Sequence, residues 1–198
     1  MPWLREFLAD RRVLGTSMLW FERRADGTPR RPGGWRRGCL ATVGTHDMPP
    51  ATAFLTGEHI TLRAELGLLT EPEPDERAAA RREVDGWLAM LAREGLLGQP
   101  GLPGQAAGAT AAAFTVALYG YLARTPAMLV GVSLAEAVGE RRPQNLPGTV
   151  DEYPNWLIPL ADGNGAPVLL EDLPAYKGVR AVAEAVSGGL RPSPEARR

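Results

Sequence analysis

Residues that make cross-links, metal sites and cationic surfaces are scarce in this chain. Cys39 is the only cysteine, and His46 and His59 are the only histidines, in 198 residues. One thiol excludes an internal disulfide, and no spacing of Cys, His and carboxylates completes a metal set, so no metal is expected. Lysine is almost missing: Lys177 stands alone among 22 basic residues, a bias that fits genomic base composition better than a demand for bidentate contacts. A net charge of −1 gives no electrostatic footprint for nucleic acid, and the pairs Arg23-Arg24, Arg30-Arg31 and Arg36-Arg37 fall in one loop region. No run approaches the roughly 18 apolar residues of a membrane span. Arg5, Glu6 and Asp10 interrupt any leader-like apolar stretch at the start. The expectation is a cytoplasmic protein with neither nucleic acid nor membrane as partner.

What is present is ordinary for a globular domain: 44% hydrophobic and 23% charged residues, enough for one sizeable core. The spacing of Trp3, Leu4, Phe7 and Leu8 predicts a helix over 2–12. A strand is expected at 13–21, then a long Gly/Pro/Arg-rich loop at 24–37 and a second strand at 39–46. Helices follow at 58–69, ending near Gly67, and at 75–97, where Val84, Trp87, Leu88 and Leu91 recur at helical spacing. Residues 98–108 read as an inter-helix linker, and 109–125 as a helix with Phe114, Leu118, Tyr121 and Leu122 on one side. The run at 127–134, AMLVGVSL, reads as a third buried strand, followed by a short turn of helix through Glu136. Residues 139–167 are loop-like. A last helix is expected at 172–187, capped by Asp172, so the domain covers 1–187 and 188–198 form a disordered tail.

The segment Cys39 to Pro50, CLATVGTHDMPP, organises the rest. Its start is short, uncharged and too brief for a helix, as a parallel strand covered on both faces would be. Gly44 allows a close approach, and the polar trio Thr45, His46 and Asp47 sits at the strand's C-terminal tip. Pro49 and Pro50 stop the strand and fix the loop behind the acid. Reactive groups where a strand meets its following loop are how α/β barrels display catalytic residues.

Three ordered blocks carry a specific resemblance. Ala41 to Leu55 (ATVGTHDMPPATAFL), with Gly57-Glu58-His59 and Leu66-Gly67-Leu68, is similar to the third catalytic segment of the 4-α-glucanotransferases, or amylomaltases, of glycoside hydrolase family 77. Val13 to Glu22, VLGTSMLWFE, resembles the preceding barrel strand of that family. Gln144 to Trp156, QNLPGTVDEYPNW, resembles its loop after the eighth strand. The implied fold is α/β: the last three β/α units, strands six to eight, of a (β/α)₈ barrel with helical insertions. Three strands cannot close such a barrel, so it is incomplete and its open edges await the missing N-terminal part.

The resemblance also implies the chemistry: transfer of α-1,4-glucan segments between maltooligosaccharides by double displacement through a covalent glucosyl-enzyme, with no cofactor. Retaining chemistry needs a nucleophilic carboxylate and an acid/base carboxyl roughly 5–5.5 Å apart. In the family the nucleophile is on the fourth strand and the acid/base on the fifth. Asp47 matches a third carboxylate, on the seventh strand, that binds sugar hydroxyls and favours the distorted ring of the transition state. His46 is then a donor to a sugar hydroxyl. Asn145 matches an asparagine that contacts glucose, an amide supplying both donor and acceptor.

Other readings stay open on the residues alone. Asp47 could satisfy nearby backbone donors, and Asn145 could be a turn residue. Trp20 and Phe21 could stack on a sugar face or pack the core, Phe21 aligning better with the family's lining aromatic. Leu157 stands where the family has an arginine, which removes an ion pair there. Glu171-Asp172-Leu173 mimics the family's Glu-Asp-Leu-Gly acid/base motif but sits after the last strand, as a capping segment. No nucleophile motif is found, so the chain by itself is expected to be inactive. A non-catalytic glucan-binding remnant is the alternative function. A helical scaffold is a third, and would need Asp47 and Asn145 far apart.

The first helix has no strand before it to cover, although Trp3 and Phe7 need one. The DNA upstream of the Met1 codon is therefore expected to encode the Glu-Asp-Leu-Gly motif within about a dozen residues, in frame or beyond one frameshift or contig break. Sequencing that region checks it, and an in-frame stop with a ribosome-binding site and no such coding sequence would move the non-catalytic reading ahead.

Overall fold

The computed structural model describes residues 2–97 and 110–189. The linker expected at 98–108, and the tail from residue 190 onward, lie outside them. Among the described residues three parallel strands form a sheet in the order β1-β2-β3: β1 (Gly15–Met18), β2 (Cys39–Thr42) and β3 (Leu129–Val130). Gly15 pairs with Cys39 and Met18 with Thr42, while Leu40 and Ala41 pair with Leu129 and Val130. Being parallel, the strands end on one common rim.

All three strands are shorter than their apolar patterns suggest. Leu19–Phe21 leaves β1 as a 3₁₀ turn, and β2 stops at Thr42. The third strand keeps two residues of the predicted eight and is not buried, since Met128, Leu129 and Val132 are exposed. It is one of the two edge strands of the sheet, with no neighbour among the described residues to cover that run.

Among the described residues, seven helices accompany the sheet: α1 (Pro2–Asp10), α2 (Ala51–Thr56), α3 (Glu58–Glu65), α4 (Glu73–Arg93), α5 (Ala111–Leu122), α6 (Leu134–Val138) and α7 (Lys177–Gly189). Helix α2 departs from expectation. Pro50 ends the strand segment but also precedes a helix start, where its missing N–H costs nothing. Gly57, at φ 78°, then closes α2 and opens α3. Pro74 likewise lies in the first turn of α4. Near the C-terminus the proline acts the other way. Leu170–Ala175 is a 3₁₀ turn with Pro174 inside, and α7 begins only at Lys177. Asp172 makes no cap, and Gly188 and Gly189 belong to α7 rather than to a tail.

The core lies between the sheet, α4 and α5. Trp87 meets Trp20 and Tyr121 edge-on, at 6.0 and 5.4 Å between ring centroids. Helix α5 is buried nearly all round rather than on one side, packing against α7, α2 and α4. The long loop at 24–37 is not wholly superficial either, because Trp35 enters the core and donates its indole N–H to the Tyr121 hydroxyl at 3.0 Å. Residues 139–167 carry a small core of their own: Leu146, Tyr153 and Ile158 pack on Leu62, Leu66 and Leu68 around α3. Trp3, Leu4 and Phe7 of α1 remain exposed, so its apolar face has no cover among the described residues.

Helices α6 and α7 cross where Gly178 faces the Ala137 carbonyl, and a Cβ there would collide with that oxygen. Gly178→Ala should force the helices apart and cost about 1–3 kcal/mol, the usual range for overpacking. Urea denaturation of the two proteins measures it, and equal stability would mean that the crossing is looser than described.

Candidate functional site

The chain leaves β2 at Thr42 and turns at once. The Thr42 hydroxyl donates to the Gly44 carbonyl at 3.0 Å, and the Met48 N–H donates to the Thr45 carbonyl at 3.1 Å. This tight path lifts His46 and Asp47 onto the strand-end rim, about half exposed, before Pro49, Pro50 and α2 draw the backbone inward. The imidazole Nε2 lies 3.3 Å from Asp47 Oδ2.

Across 98 residues of sequence, Asn145 Nδ2 donates to Asp47 Oδ1 at 2.6 Å, and the Asn145 N–H donates to the His46 carbonyl at 3.1 Å. The predicted convergence of Asp47, His46 and Asn145 is thus present in the fold, and the scaffold alternative with distant blocks is excluded. The segment carrying Asn145 is held by its own polar groups. Asn155 Oδ1 accepts the Leu146 N–H at 2.7 Å, Asn155 Nδ2 donates to Thr149 Oγ1 at 2.8 Å, and the Tyr153 hydroxyl donates to the Pro143 carbonyl at 2.8 Å. Beneath it, buried Glu140 takes both Arg142 Nε and Nη2, at 2.9 and 2.8 Å, and the Arg141, Arg142 and Ala161 N–H groups. Burial alone would push that carboxyl up, but these donors together hold it below its ordinary range.

The two aromatics proposed from sequence part company. Phe21 is 66% exposed where the chain leaves β1, on the same rim. Trp20 is 2% exposed, stacked on Phe54 at 4.3 Å, with its indole N–H buried and unpartnered. Of the two readings of Trp20, core packing is the one its position allows. His59 is likewise internal: its Nδ1 lies 2.8 Å from the Ala53 carbonyl, and burial pushes its pKa down. Leu157 is 78% exposed, and Glu171 and Asp172 lie on the exposed 3₁₀ turn.

A cleft of about 280 Å³ opens beside the pair, lined by Thr45, His46 and Met48 after β2, by Ser133 and Glu136 after β3, and by Gln144. Glu136 is a residue the sequence reading passed over, although Ser133-x-x-Glu136 has capping-box spacing. The box is rewired. Ser133 Oγ lies 3.5 Å from the Glu136 N–H it caps, while the Ser133 N–H is taken by the Tyr119 hydroxyl at 3.0 Å. Glu136 is thereby free to accept from Tyr119, at 2.6 Å, with its carboxyl turned toward the Ala51 N–H at the head of α2. Burial pushes its carboxyl up to about 7, against an ordinary 4.5, with the Tyr119 hydroxyl and the Ala51 N–H pulling the other way. Trp156, which closes the block resembling the family's loop after the eighth strand, also borders the site. Its ring lies 4.8 Å from that of His46, and its φ of 65° is rare for a residue with a side chain, costing about 1–2 kcal/mol. Among the described residues no group of three His, Cys, Asp or Glu is placed to hold a metal ion, and no helix is long and apolar enough to cross a membrane.

Glu136 sets a pH dependence. With its folded pKa above the unfolded one, the fold favours the neutral acid; that contribution is full below about pH 4.5 and lost as pH rises through 7. Between pH 5 and 8 the wild type should lose on the order of 2 kcal/mol more than Glu136→Gln. Parallel denaturation curves at the two pH values test this, and parallel losses would show the acid already charged at pH 5.

Comparison with known proteins agrees with this geometry. Residues 1–163 match the family model described as 4-alpha-glucanotransferase. The 4-alpha-glucanotransferase of Mycobacterium tuberculosis H37Rv is 46% identical over 189 residues, covering 93% of this chain and 25% of that protein. That of Haemophilus influenzae is 30% identical over 149 residues, covering 73% and 21%. The crystal structure of amylomaltase from Corynebacterium glutamicum superposes with a TM-score of 0.88 at 38% identity, covering 94% of this chain and 27% of that one. The chain spans about a quarter of the length of the curated relatives it matches. The parallel sheet, the rim carrying Asp47 and these likenesses together place the chain in the 4-alpha-glucanotransferase family, glycoside hydrolase family 77.

Proposed function

We propose that the chain supplies one part of the catalytic centre of a 4-α-glucanotransferase, an enzyme moving α-1,4-glucan segments between maltooligosaccharides with retention. The observation that carries this reading is the Asn145 amide bonded to the Asp47 carboxylate at the strand-end rim, 98 residues apart in sequence. Asp47 is the sugar-binding carboxylate. One oxygen is oriented by Asn145 and the other lies near His46, so its remaining lone pairs face the open side as acceptors for vicinal hydroxyls. Contacts of this kind strengthen as the ring flattens toward an oxocarbenium ion, and take several kcal/mol off the barrier. Asn145 and His46 position the acid and present their own polar atoms to neighbouring hydroxyls, and Phe21 borders the same rim. No cofactor is needed for this chemistry.

In this reading the sheet is strands six to eight of a (β/α)₈ barrel. The partner is the remaining N-terminal part, which brings the nucleophile and acid/base. The exposed apolar face of α1 and the exposed run at β3 support it, being surfaces a neighbouring unit would cover. A non-catalytic glucan-binding piece is the second reading, favoured by the fact that a quarter of the relatives' length carries only this one of the three carboxylates.

The purified chain is expected to leave maltotriose unchanged. Grafted in place of the matching quarter of the mycobacterial relative, it should support maltotriose disproportionation, and Asp47→Ala in that chimera should lower the rate about a hundredfold or more. Transfer by the chain alone that vanishes in Asp47→Ala would demand a different nucleophile. A chimera indifferent to Asp47 would remove its assigned role.

A further inference from the structure

Trp156 is a large aromatic that the core leaves out. It is 61% exposed, with its ring against His46 at 4.8 Å and the two planes tilted by 50°. Its backbone is fixed, not free. The Leu157 N–H donates to the Pro154 carbonyl at 3.1 Å, closing a turn in which Trp156 is the third residue with φ 65°. Sterics favour glycine at that place, so an indole there sits in an unfavourable conformation without gaining burial. Such a combination points to a side chain kept for what it meets from outside. The Trp156 N–H donates to the Gln144 carbonyl at 2.8 Å, which fastens the indole to the segment that brings Asn145 to Asp47.

A flat apolar face and a set of polar atoms therefore stand side by side on one rim. A pyranose ring is divided in the same way, with hydroxyls around its edge and C–H bonds on its faces, and aromatic rings receive such faces. We propose that Trp156 is a stacking platform for one glucose unit of an α-1,4-glucan whose hydroxyls reach Asp47 and Asn145. The inference rests on the glucan reading of the site and adds to it a surface that selects flat, ring-shaped residues over linear polyols.

Calorimetric titration of the 198-residue chain with maltotetraose tests it, with wild type beside Trp156→Phe, Trp156→Gly and Asn145→Ala. Trp156→Phe should bind close to wild type. Trp156→Gly should bind about tenfold more weakly or worse, while its thermal midpoint does not fall, because glycine fits the positive φ. If Trp156→Gly binds as wild type while Asn145→Ala loses binding, the platform is overturned and the glucan site stands. If Trp156→Gly loses binding together with thermal stability, the indole is a packing residue and the proposal falls. Wild-type chain that binds no maltotetraose overturns both the platform and the glucan reading beneath it.

Discussion

Helix α5 is buried on nearly every side, and that one constraint arranges much of the molecule. A buried tyrosine hydroxyl must find a partner within the protein, and α5 carries two. Tyr121 accepts from the Trp35 indole and donates to the Arg30 carbonyl, tying down the long loop between β1 and β2. Tyr119 accepts from the Ser133 N–H and donates to Glu136, tying down the chain after β3. All four bonds matter, since neither buried hydroxyl has water to fall back on. The loops at the two ends of the sheet are thus referenced to one rod.

Glu136 extends that reference to the rim. Its carboxyl accepts from Tyr119 on α5 and faces the Ala51 N–H that opens α2, and α2 begins immediately after the Asp47 loop. A buried carboxyl is a costly way to satisfy one N–H, and a serine or asparagine cap would do it locally. What it adds is reach: one carboxyl on α6 addresses two other elements, α5 and α2. The loop of Asp47 is held from below by this link and from the side by Asn145, whose own loop is fixed through Asn155 and Glu140.

The parts of this legible in sequence were those governed by local pattern or by near-identical blocks. Periodicity located α4, because Val84, Trp87, Leu88 and Leu91 do face the core. The block around Asp47 and that around Asn145 predicted their meeting. Strand lengths were not legible, since an apolar run tells a residue's preference but not whether a neighbouring strand exists to cover it, and Leu129 stays exposed for that reason. Helix α2 was missed because a double proline stops one element and can start another, and only tertiary packing decides between the two. Glu136 was passed over because its capping-box spacing suggests a local role, whereas Tyr119 takes that role and releases the carboxyl for a distant one. Trp20 could not be told from Phe21 by type, since the two adjacent aromatics differ only in which way the 3₁₀ turn points them.

The bond between Asn145 and Asp47 also bears on how the chain folds. It closes a loop of 98 residues and lies on an exposed rim rather than in the core. Closing so long a loop costs conformational entropy, and only contacts that bury apolar surface return it early. The helices and the aromatic cluster around Trp87 supply such contacts; a solvent-exposed amide and carboxylate do not. Site geometry is therefore a late acquisition on the folding route. Substitutions at these two positions belong to the class that changes the rate of unfolding while leaving the rate of folding almost untouched.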